Sequence, residues 1–190
     1  MGHLERLDGT IPFIKREVSG MCGPGALHSL CSHFGITTSQ EELATLAQYR
    51  PDWGTPQLGM VKAAKAKGLS VLALRNTTLD VLDLCLGNSG VAIVNYMDRE
   101  PDGSFNPIED GHYAVYLGRS RINNLPEVHL MCSYRGKYKE PEHLFVHYWW
   151  DLDLRGGGSI LIPVHGWAML AFPDKASLKD SLQTLSQIAQ

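Results

Sequence analysis

The stretch that decides the fold is Gly20-Met21-Cys22-Gly23-Pro24-Gly25-Ala26-Leu27, in which a cysteine directly precedes an apolar helix. Apolar residues recur at spacings of three and four across residues 23–34, and this spacing predicts an amphipathic helix. Pro24 suits the first turn of a helix, because proline lacks a backbone N–H and an N–H in the first turn has no partner within the helix. Gly35 is the expected end of the helix, since glycine commonly terminates helices.

Cys22 is a candidate nucleophile because of its place at this helix start. The positive end of a helix dipole lowers the pKa of a nearby thiol and favours the reactive thiolate. The backbone N–H of Cys22 is also expected to point toward an anion that forms beside the sulfur, as half of an oxyanion hole. The alternative is a buried core thiol, because cysteine is among the residues most often buried.

His112 is the candidate general base among the eight histidines of the chain. It follows Gly111 and opens an apolar run to residue 117, which predicts a β-strand. A base at the start of a strand is held rigidly and still faces the mouth of a cleft. The alternative is a histidine that only packs in the sheet. Gly111, and Trp53 in the loop 51–54, are candidates for the wall of a substrate groove, because loops often carry binding residues.

The remaining pattern predicts an α+β fold, with N-terminal helices packed on an antiparallel β-sheet. A second helix is expected to begin at Ser39, with Glu42 as its capping-box partner. Strands are expected at 69–74, 91–96, 112–117, 127–132 and within 160–172, with a short helix at 79–86.

Two further helices are predicted from their apolar faces. The third helix is expected to bury the face formed by Leu58, Val61, Ala64 and Ala66. The C-terminal segment 174–190 is an amphipathic helix whose apolar face comprises Leu178, Leu182, Leu185 and Ile188. Without repeats or low-complexity linkers, residues 1–190 are expected to form a single domain.

Composition and charge argue against several classes of partner. The net charge of −3 comes with no stripe of basic residues, so no nucleic-acid partner is expected. No stretch approaches the roughly 20 apolar residues that span a bilayer, and the N-terminus lacks the apolar run of a signal peptide. We therefore expect no membrane partner. Four widely spaced cysteines are typical of reduced cytosolic proteins, which predicts a cytoplasmic location. The oligomeric state stays open.

Two groups of histidines raise the question of a metal site. His28 and Cys31 share a helix face, but Cys31 and His33 do not, and no second half-site has ligand spacing. His143 and His147 lie four residues apart, where a surface position beside packed tryptophans is the simpler reading. We therefore expect no metal and no organic cofactor.

In their order and spacing, these motifs resemble the C39 and C39-like peptidases, a branch of the papain-like fold. Cys22-Gly23-Pro24 and its helix are similar to the family's nucleophile segment, and Gly111-His112-Tyr113-Ala114-Val115 is similar to its histidine strand. Residues 54–69 and 142–150 also match, so the resemblance covers about residues 11–150. It implies a cysteine peptidase that acts on a peptide or protein through an acyl-enzyme, with Cys22 as nucleophile, His112 as base and no cofactor.

Two positions depart from the family's pattern. Arg16 stands six residues before the cysteine, where the resemblance implies an oxyanion-binding glutamine. A guanidinium can also donate there, and Ser19 is a weaker substitute. The stretch 130–133, where the resemblance implies an Asp or Asn that orients the histidine, has none. The other candidates for this third residue are Asn123, Asn124, Asp151 and Asp153.

Two functions are therefore open. The first is a cysteine peptidase or a related thiol-dependent amide hydrolase, since deamidation and acyl transfer use the same groups. The second is a catalytically degenerate C39-like domain that binds a peptide without cutting it, which the two departures favour. In either case the segment 97–111, directly before His112, is the first place to look for control of the substrate, and whether it acts as a lid stays open.

Overall fold

The computed structural model describes residues 10–99, 104, 111–155 and 160–188. The elements in these ranges are, in chain order, α1 (Cys22–His33), α2 (Gln40–Leu46), α3 (Gln57–Ala66), β1 (Ser70–Leu74), α4 (Leu79–Gly87), β2 (Val91–Met97), β3 (Gly111–Ile122), β4 (Leu125–Cys132), β5 (Gly136–Pro141), α5 (Glu142–Tyr148), β6 (Trp150–Arg155), β7 (Ile160–His165), β8 (Ala168–Phe172) and α6 (Lys175–Ile188). None of these described helices is long and apolar enough to cross a membrane.

Six strands form one antiparallel sheet in the order β1-β8-β2-β3-β4-β5, while β6 and β7 pair with each other. The pairing of β2 with β3 places Tyr96 opposite His112 and Asn95 opposite Tyr113. Successive side chains of a strand point to opposite faces of its sheet. His112 and Tyr113 therefore leave the sheet on opposite sides.

Each face of the main sheet is covered by its own hydrophobic core. On one face α1 packs against β3, and Cys22 lies in the same cluster as Tyr113. On the other face α4 and α5 cover a cluster that contains Tyr96 and Phe145. The start of β3 therefore separates the core around Cys22 from the core beside His112.

The α+β fold predicted from the sequence is confirmed, and so are the signals at the first two helices. Cys22 is the first residue of α1, and Gly35 adopts a φ of 70° just after the helix. Ser39 caps α2, because its hydroxyl accepts a hydrogen bond of 3.1 Å from the backbone N–H of Glu42. These features depend only on neighbours in sequence.

The buried face predicted for α3 is wrong in part. Leu58 is 63% exposed, whereas Met60 is fully buried. The cause is Gly59, which lies so close to the carbonyl oxygen of Ala47 that an added Cβ would overlap it. This close approach of α3 to the end of α2 turns Met60 inward and Leu58 outward.

The apolar face predicted for α6 is also wrong in part. Leu182 is 43% exposed, whereas its neighbour Ser181 is buried. The helix packs against α4, β1 and β8, and Leu178 contacts the core on that side. Leu178 and Ser181 are three residues apart and share one face of the helix, which leaves Leu182 on its rim.

Two strands have no counterpart in the sequence prediction. β5 is an edge strand whose residues alternate between half-buried and exposed, and most of them are polar. Without an apolar side facing a deep core, hydrophobic periodicity carries little signal for it. β6 follows α5 directly and buries the carboxylates of Asp151 and Asp153 instead of apolar side chains.

Candidate active site

Cys22 lies at the start of α1 and directly against β3. Backbone hydrogen bonding from Tyr113 and Gly23 lowers the pKa of its thiol, and the residue is only 7% exposed. Gly23 packs against the loop before α3, since an added Cβ would lie 2.8 Å from Thr55 Oγ1 and 3.0 Å from Met60 Sδ. The glycine after the nucleophile is thus required by packing, which the sequence did not indicate.

Burial decides the ionisation of this thiol. Desolvation raises the pKa of Cys22 above its ordinary value, while the two N–H donors and the charge of Arg16 lower it by less. The charge of Asp151 adds to the upward shift. The lowered thiol pKa expected from the helix start is therefore wrong for this resting structure, in which the loss of water outweighs the helix dipole.

His112 is buried at the second position of β3, on the side of the sheet opposite Tyr113. Its ring lies edge-on to two tyrosines, with 5.7 Å between centroids for Tyr96 and 5.3 Å for Tyr134. Its Nε2 atom is buried and has no hydrogen-bond partner within the described part of the chain. A buried polar atom without a partner costs free energy, and no hydrogen bond within the described residues occupies Nε2.

Burial also sets the charge of His112. Desolvation lowers the pKa of the imidazole to about 4, against an opposing contribution from Asp98 and with smaller lowering contributions from Arg135 and Arg16. The ring is therefore neutral at pH 7 and has the protonation state of a base. Cys22 touches the peptide that follows His112, so the structure brings both predicted residues to the start of β3 as a neutral thiol and a neutral imidazole.

Arg16 lies beside the same point of the sheet. Its guanidinium stacks over the Tyr134 ring at 4.7 Å, and its backbone N–H donates to the carbonyl oxygen of Ser133 at 2.7 Å. The positive charge of Arg16 acts on both Cys22 and His112, as the pKa shifts of those two groups show. The side chain therefore neighbours both residues instead of extending into solvent alone.

The other residues predicted for the oxyanion hole and the substrate groove are Ser19, Trp53 and Gly111. Ser19 is exposed, and its carbonyl accepts a long hydrogen bond of 3.4 Å from the Tyr49 hydroxyl. Trp53 is 44% exposed in the turn that leads to Thr55. Gly111 lies against the carboxylate of Asp151, so close that an added Cβ would overlap it. Most of the segment 97–111, namely residues 100–103 and 105–110, lies outside the described residues.

Three of the candidates for the third catalytic residue lie away from the His112 ring. Asn123 and Asn124 form the turn after β3, at the opposite end of this strand from His112. Asp153 pairs with Arg75 at 3.3 Å and accepts a bond from the backbone N–H of Gln57 at 3.4 Å. These contacts hold the β6–β7 hairpin to the helical side of the molecule and do not involve the imidazole.

Asp151 belongs to a buried amide and carboxylate network on the Cys22 side of the sheet. Asn95 Nδ2 donates to Asp151 Oδ2 at 2.6 Å and to the carbonyl oxygen of His112 at 3.2 Å, and Gln57 Nε2 donates to Asn95 Oδ1 at 2.9 Å. Burial raises the pKa of Asp151 to about 7, despite the donors that lower it. This carboxyl therefore faces the backbone of His112 and not its ring.

The carboxylate whose charge acts most on the His112 ring is Asp98, which the sequence analysis missed. Asp98 directly follows β2, and its Oδ2 atom accepts a hydrogen bond of 2.6 Å from the Tyr134 hydroxyl and pairs with Arg135. Asp98 lies just beyond the strand before β3, whereas the candidates predicted from the sequence lie in the turn after β3 and in segments further along the chain. The pairing of Tyr96 with His112, which brings Asp98 close to the imidazole, is visible only in the structure.

The structure gives the histidines considered as metal ligands other surroundings. His33 Nδ1 lies 3.2 Å from the carbonyl oxygen of Thr10. Burial raises the pKa of the Cys31 thiol to about 11, which disfavours the thiolate that binds metals. Over the described ranges, no three His, Cys, Asp or Glu side chains form a group that could hold a metal ion.

Comparison of sequences relates this chain to known proteins over about half of its length. Residues 10–98 match the sequence profile of the Peptidase C39 family. An uncharacterized protein of Methanothermobacter marburgensis is 36% identical over 105 residues, which are 55% of this chain and 62% of that protein. The match thus spans less than two thirds of that relative's length.

Comparison of structures extends the likeness to most of the chain. The peptidase domain of Streptococcus ComA, described as a bi-functional ABC transporter of a quorum-sensing pathway, superposes with a TM-score of 0.61 at 20% identity, covering 86% of this chain and 99% of that domain. A protein of Bacillus anthracis described as a C39-like peptidase gives a TM-score of 0.61 at 14% identity over 85% of this chain and 94% of its own. A double-glycine-motif protease of a transporter, solved with a leader peptide, gives 0.52 at 17% identity over 81% of this chain and 91% of its own. The resemblance to the C39 peptidases is therefore confirmed: the chain carries the Peptidase C39 sequence pattern over residues 10–98 and shares its α+β fold with C39 peptidase domains.

Proposed function

We propose that the protein is a cysteine peptidase, or a related thiol-dependent amide hydrolase, with Cys22 as nucleophile and His112 as general base. One observation carries this proposal. The Cys22 sulfur lies at the start of α1 beside the backbone N–H of Tyr113, and Tyr113 directly follows His112, whose ring is neutral at pH 7. Acyl transfer requires a nucleophile and a general base in one site, and the start of β3 brings the Cys22 thiol together with the backbone of His112.

In the proposed reaction, the Cys22 thiol gives its proton to His112 as the sulfur attacks the carbonyl carbon of the substrate amide. Proton transfer accompanies attack because neither group is ionised at rest. The oxyanion of the tetrahedral intermediate accepts hydrogen bonds from the Cys22 backbone N–H and from Arg16. His112 then protonates the leaving amine, and water hydrolyses the thioester and regenerates the thiol.

A peptide is the proposed class of substrate. A structural relative of this chain is described as a double-glycine-motif protease in complex with a leader peptide, which supports a peptide groove on this fold. The exposed Trp53 and the backbone of Gly111 are the proposed walls of that groove. We propose a cytoplasmic location on the basis of the cysteine content alone.

A second candidate function is peptide binding without cleavage. It is favoured by Ser133, which occupies the segment where the family carries a carboxylate, and by the burial that raises the pKa of Cys22. Under this alternative Cys22 packs against β3 as a core thiol, and the groove holds a peptide that leaves unchanged.

The two functions are separated by peptide cleavage and by cysteine labelling. Wild-type protein incubated with a mixture of peptides, followed by mass spectrometry, should release fragments, and Cys22→Ser and His112→Gln should each lower the rate by about 10³-fold or more. Cys85→Ser is the matched control, because Cys85 is equally buried but belongs to the core on the other face of the sheet. Its rate should equal that of the wild type.

Iodoacetamide labelling between pH 5 and 9 provides a readout that needs no substrate. Cys22 should react faster than Cys85, because the backbone N–H donors and Arg16 oppose its desolvation whereas burial alone raises the pKa of Cys85. Equal labelling rates, together with peptide binding but no fragments, would establish the binding function and overturn the hydrolase proposal.

A further inference from the structure

A cluster of side chains surrounds the His112 ring without a part in the reaction proposed above. The rings of Tyr96 and Tyr134 flank the imidazole edge-on, both at interplanar angles of 87°. The Tyr134 hydroxyl donates to Asp98 Oδ2 at 2.6 Å, and Arg135 donates to the same oxygen. The Tyr134 ring, which packs against the imidazole, is therefore linked through its hydroxyl to the carboxylate of Asp98.

The carboxylate of Asp98 follows β2, whereas the family pattern has the residue that orients the histidine after β4. After β4 the chain has Ser133, whose buried Oγ has no hydrogen-bond partner in the described part of the structure. Asp98 instead follows β2, the strand on the other side of β3. Since β2 and β4 both flank β3, a side chain from the end of either one lies near the start of β3.

The charged groups that act on His112 come from three segments. Asp98 follows β2, Arg135 follows β4, and Arg16 precedes α1, while Cys22, Tyr96 and Tyr134 are uncharged neighbours. Burial opposes ionisation of Asp98, but its bonds with Arg135 and Tyr134 prevail and hold the pKa of this carboxyl below its ordinary value. Asp98 is thus a fixed negative charge beside an imidazole that otherwise faces two guanidinium groups.

We propose that Asp98 is a positioning residue for His112, which holds Tyr134 against the imidazole and offsets the charges of Arg16 and Arg135. Asp98 thereby takes over, from the neighbouring strand, the role of the carboxylate that is missing after β4. The catalytic meaning of this inference rests on the proposed hydrolase function, but the interaction itself is measurable without substrate.

The test is an NMR titration of the His112 ring in wild type and variants, combined with peptide-cleavage kinetics. Asp98→Asn removes the negative charge, so the His112 pKa should fall below about 4, whereas Arg135→Met should raise it. If the substitutions only loosened the cluster, water would enter, and the His112 pKa would rise in both variants toward the ordinary histidine value of about 6.5. Opposite shifts are therefore a signature that a purely structural role cannot produce.

The chain offers a matched control in Asp83→Asn. Asp83 accepts hydrogen bonds from the Tyr116 hydroxyl and from Arg119, so the same Tyr–Asp–Arg grouping occurs further along β3. Asp83→Asn should leave the His112 titration and the cleavage rate unchanged. Asp98→Asn should lower kcat about tenfold with little change in KM, and Asp98→Glu should restore most of the loss.

The outcomes distinguish this inference from the proposed function. If the His112 pKa is unchanged or raised in Asp98→Asn, the positioning role is wrong even when the wild type cleaves peptides. If the wild type cleaves nothing but the two pKa shifts are opposite, the electrostatic role of Asp98 stands and the hydrolase proposal fails. Should Asp98→Asn not fold, Asp98→Ser, which also removes the negative charge, provides the same test: a His112 pKa below that of the wild type supports the role of Asp98, and an unchanged or raised pKa would overturn it.

Discussion

The backbone N–H of Tyr113 lowers the pKa of the Cys22 thiol, so the thiol lies beside the peptide bond that follows His112. The proposed nucleophile and base therefore both lie at the start of β3, with the Cys22 thiol beside the strand backbone on one face and the His112 ring on the opposite face. Both are buried and both are neutral at pH 7, because desolvation acts in opposite directions on an acid and on a base.

The pH dependence of peptide cleavage should report the buried imidazole. Since burial lowers the His112 pKa to about 4, the base stays neutral down to that pH, and kcat/KM should begin to fall only as the pH approaches it. The measurement is initial rate against pH, with circular dichroism at each pH to exclude unfolding. An acidic limb near the ordinary histidine value of about 6.5 would show that His112 is hydrated in the working enzyme.

The pH dependence of stability should separate His112 from Asp151. Between pH 6.5 and 4 the unfolded chain takes up a proton on His112 that the folded chain refuses, so the free energy of unfolding falls as the pH falls. Asp151, with a raised pKa of about 7, stays protonated when folded but ionises when unfolded above about pH 4, so its contribution falls as the pH rises.

The two contributions oppose each other, at roughly 3 kcal/mol for His112 and roughly 4 kcal/mol for Asp151, and the variants should reveal them one at a time. His112→Gln should lose stability from pH 4 to 6.5, whereas Asp151→Asn should gain it over the same range, both relative to the wild type. Urea unfolding at each pH provides the free energies. Slopes of the same sign in both variants would mean that at least one of the two groups is hydrated in the folded protein.

Arg16 should behave as an oxyanion donor if the proposed reaction is correct. Arg16→Met removes the guanidinium donors and should lower kcat by about 10²-fold, while Arg16→Gln restores an N–H donor and should recover most of the rate. Lys15→Met is the control, because the Lys15 side chain is exposed on the same segment. Full activity in Arg16→Met would leave the stacking of Arg16 on Tyr134 as its role.

The contact between α3 and α2 should make Gly59 intolerant of any side chain. A Cβ at this position would overlap the Ala47 carbonyl oxygen, so Gly59→Ala should destabilise the protein by about 1–3 kcal/mol. Gly87→Ala is the matched control, since no atom lies within 4 Å of an added Cβ there. It should be neutral or slightly stabilising in urea unfolding, because alanine favours helix. Equal stability of the two variants would contradict the close approach.

The differences between prediction and structure have a common origin in contacts between distant segments. The start of α1 at Cys22 and the cap at Ser39 follow from neighbours in sequence, and both are confirmed. The exposure of Leu58 depends on where Ala47 lies, and the strand β5 depends on its pairing with β4. Neither relationship is present in a local pattern of apolar residues.

The sequence by itself determined that a cysteine begins an apolar helix and that a histidine opens a strand, because helix and strand signals are local. Only the tertiary structure decided the protonation of Cys22 and His112, since burial by other segments outweighs the helix dipole. Only the tertiary structure, too, brought Asp98 to the His112 ring, because β2 and β3 meet through hydrogen bonds between residues that are distant in the chain. Helix and strand starts depend on residues that are neighbours in sequence, whereas the burial and the electrostatic environment of a side chain are set only when the chain folds.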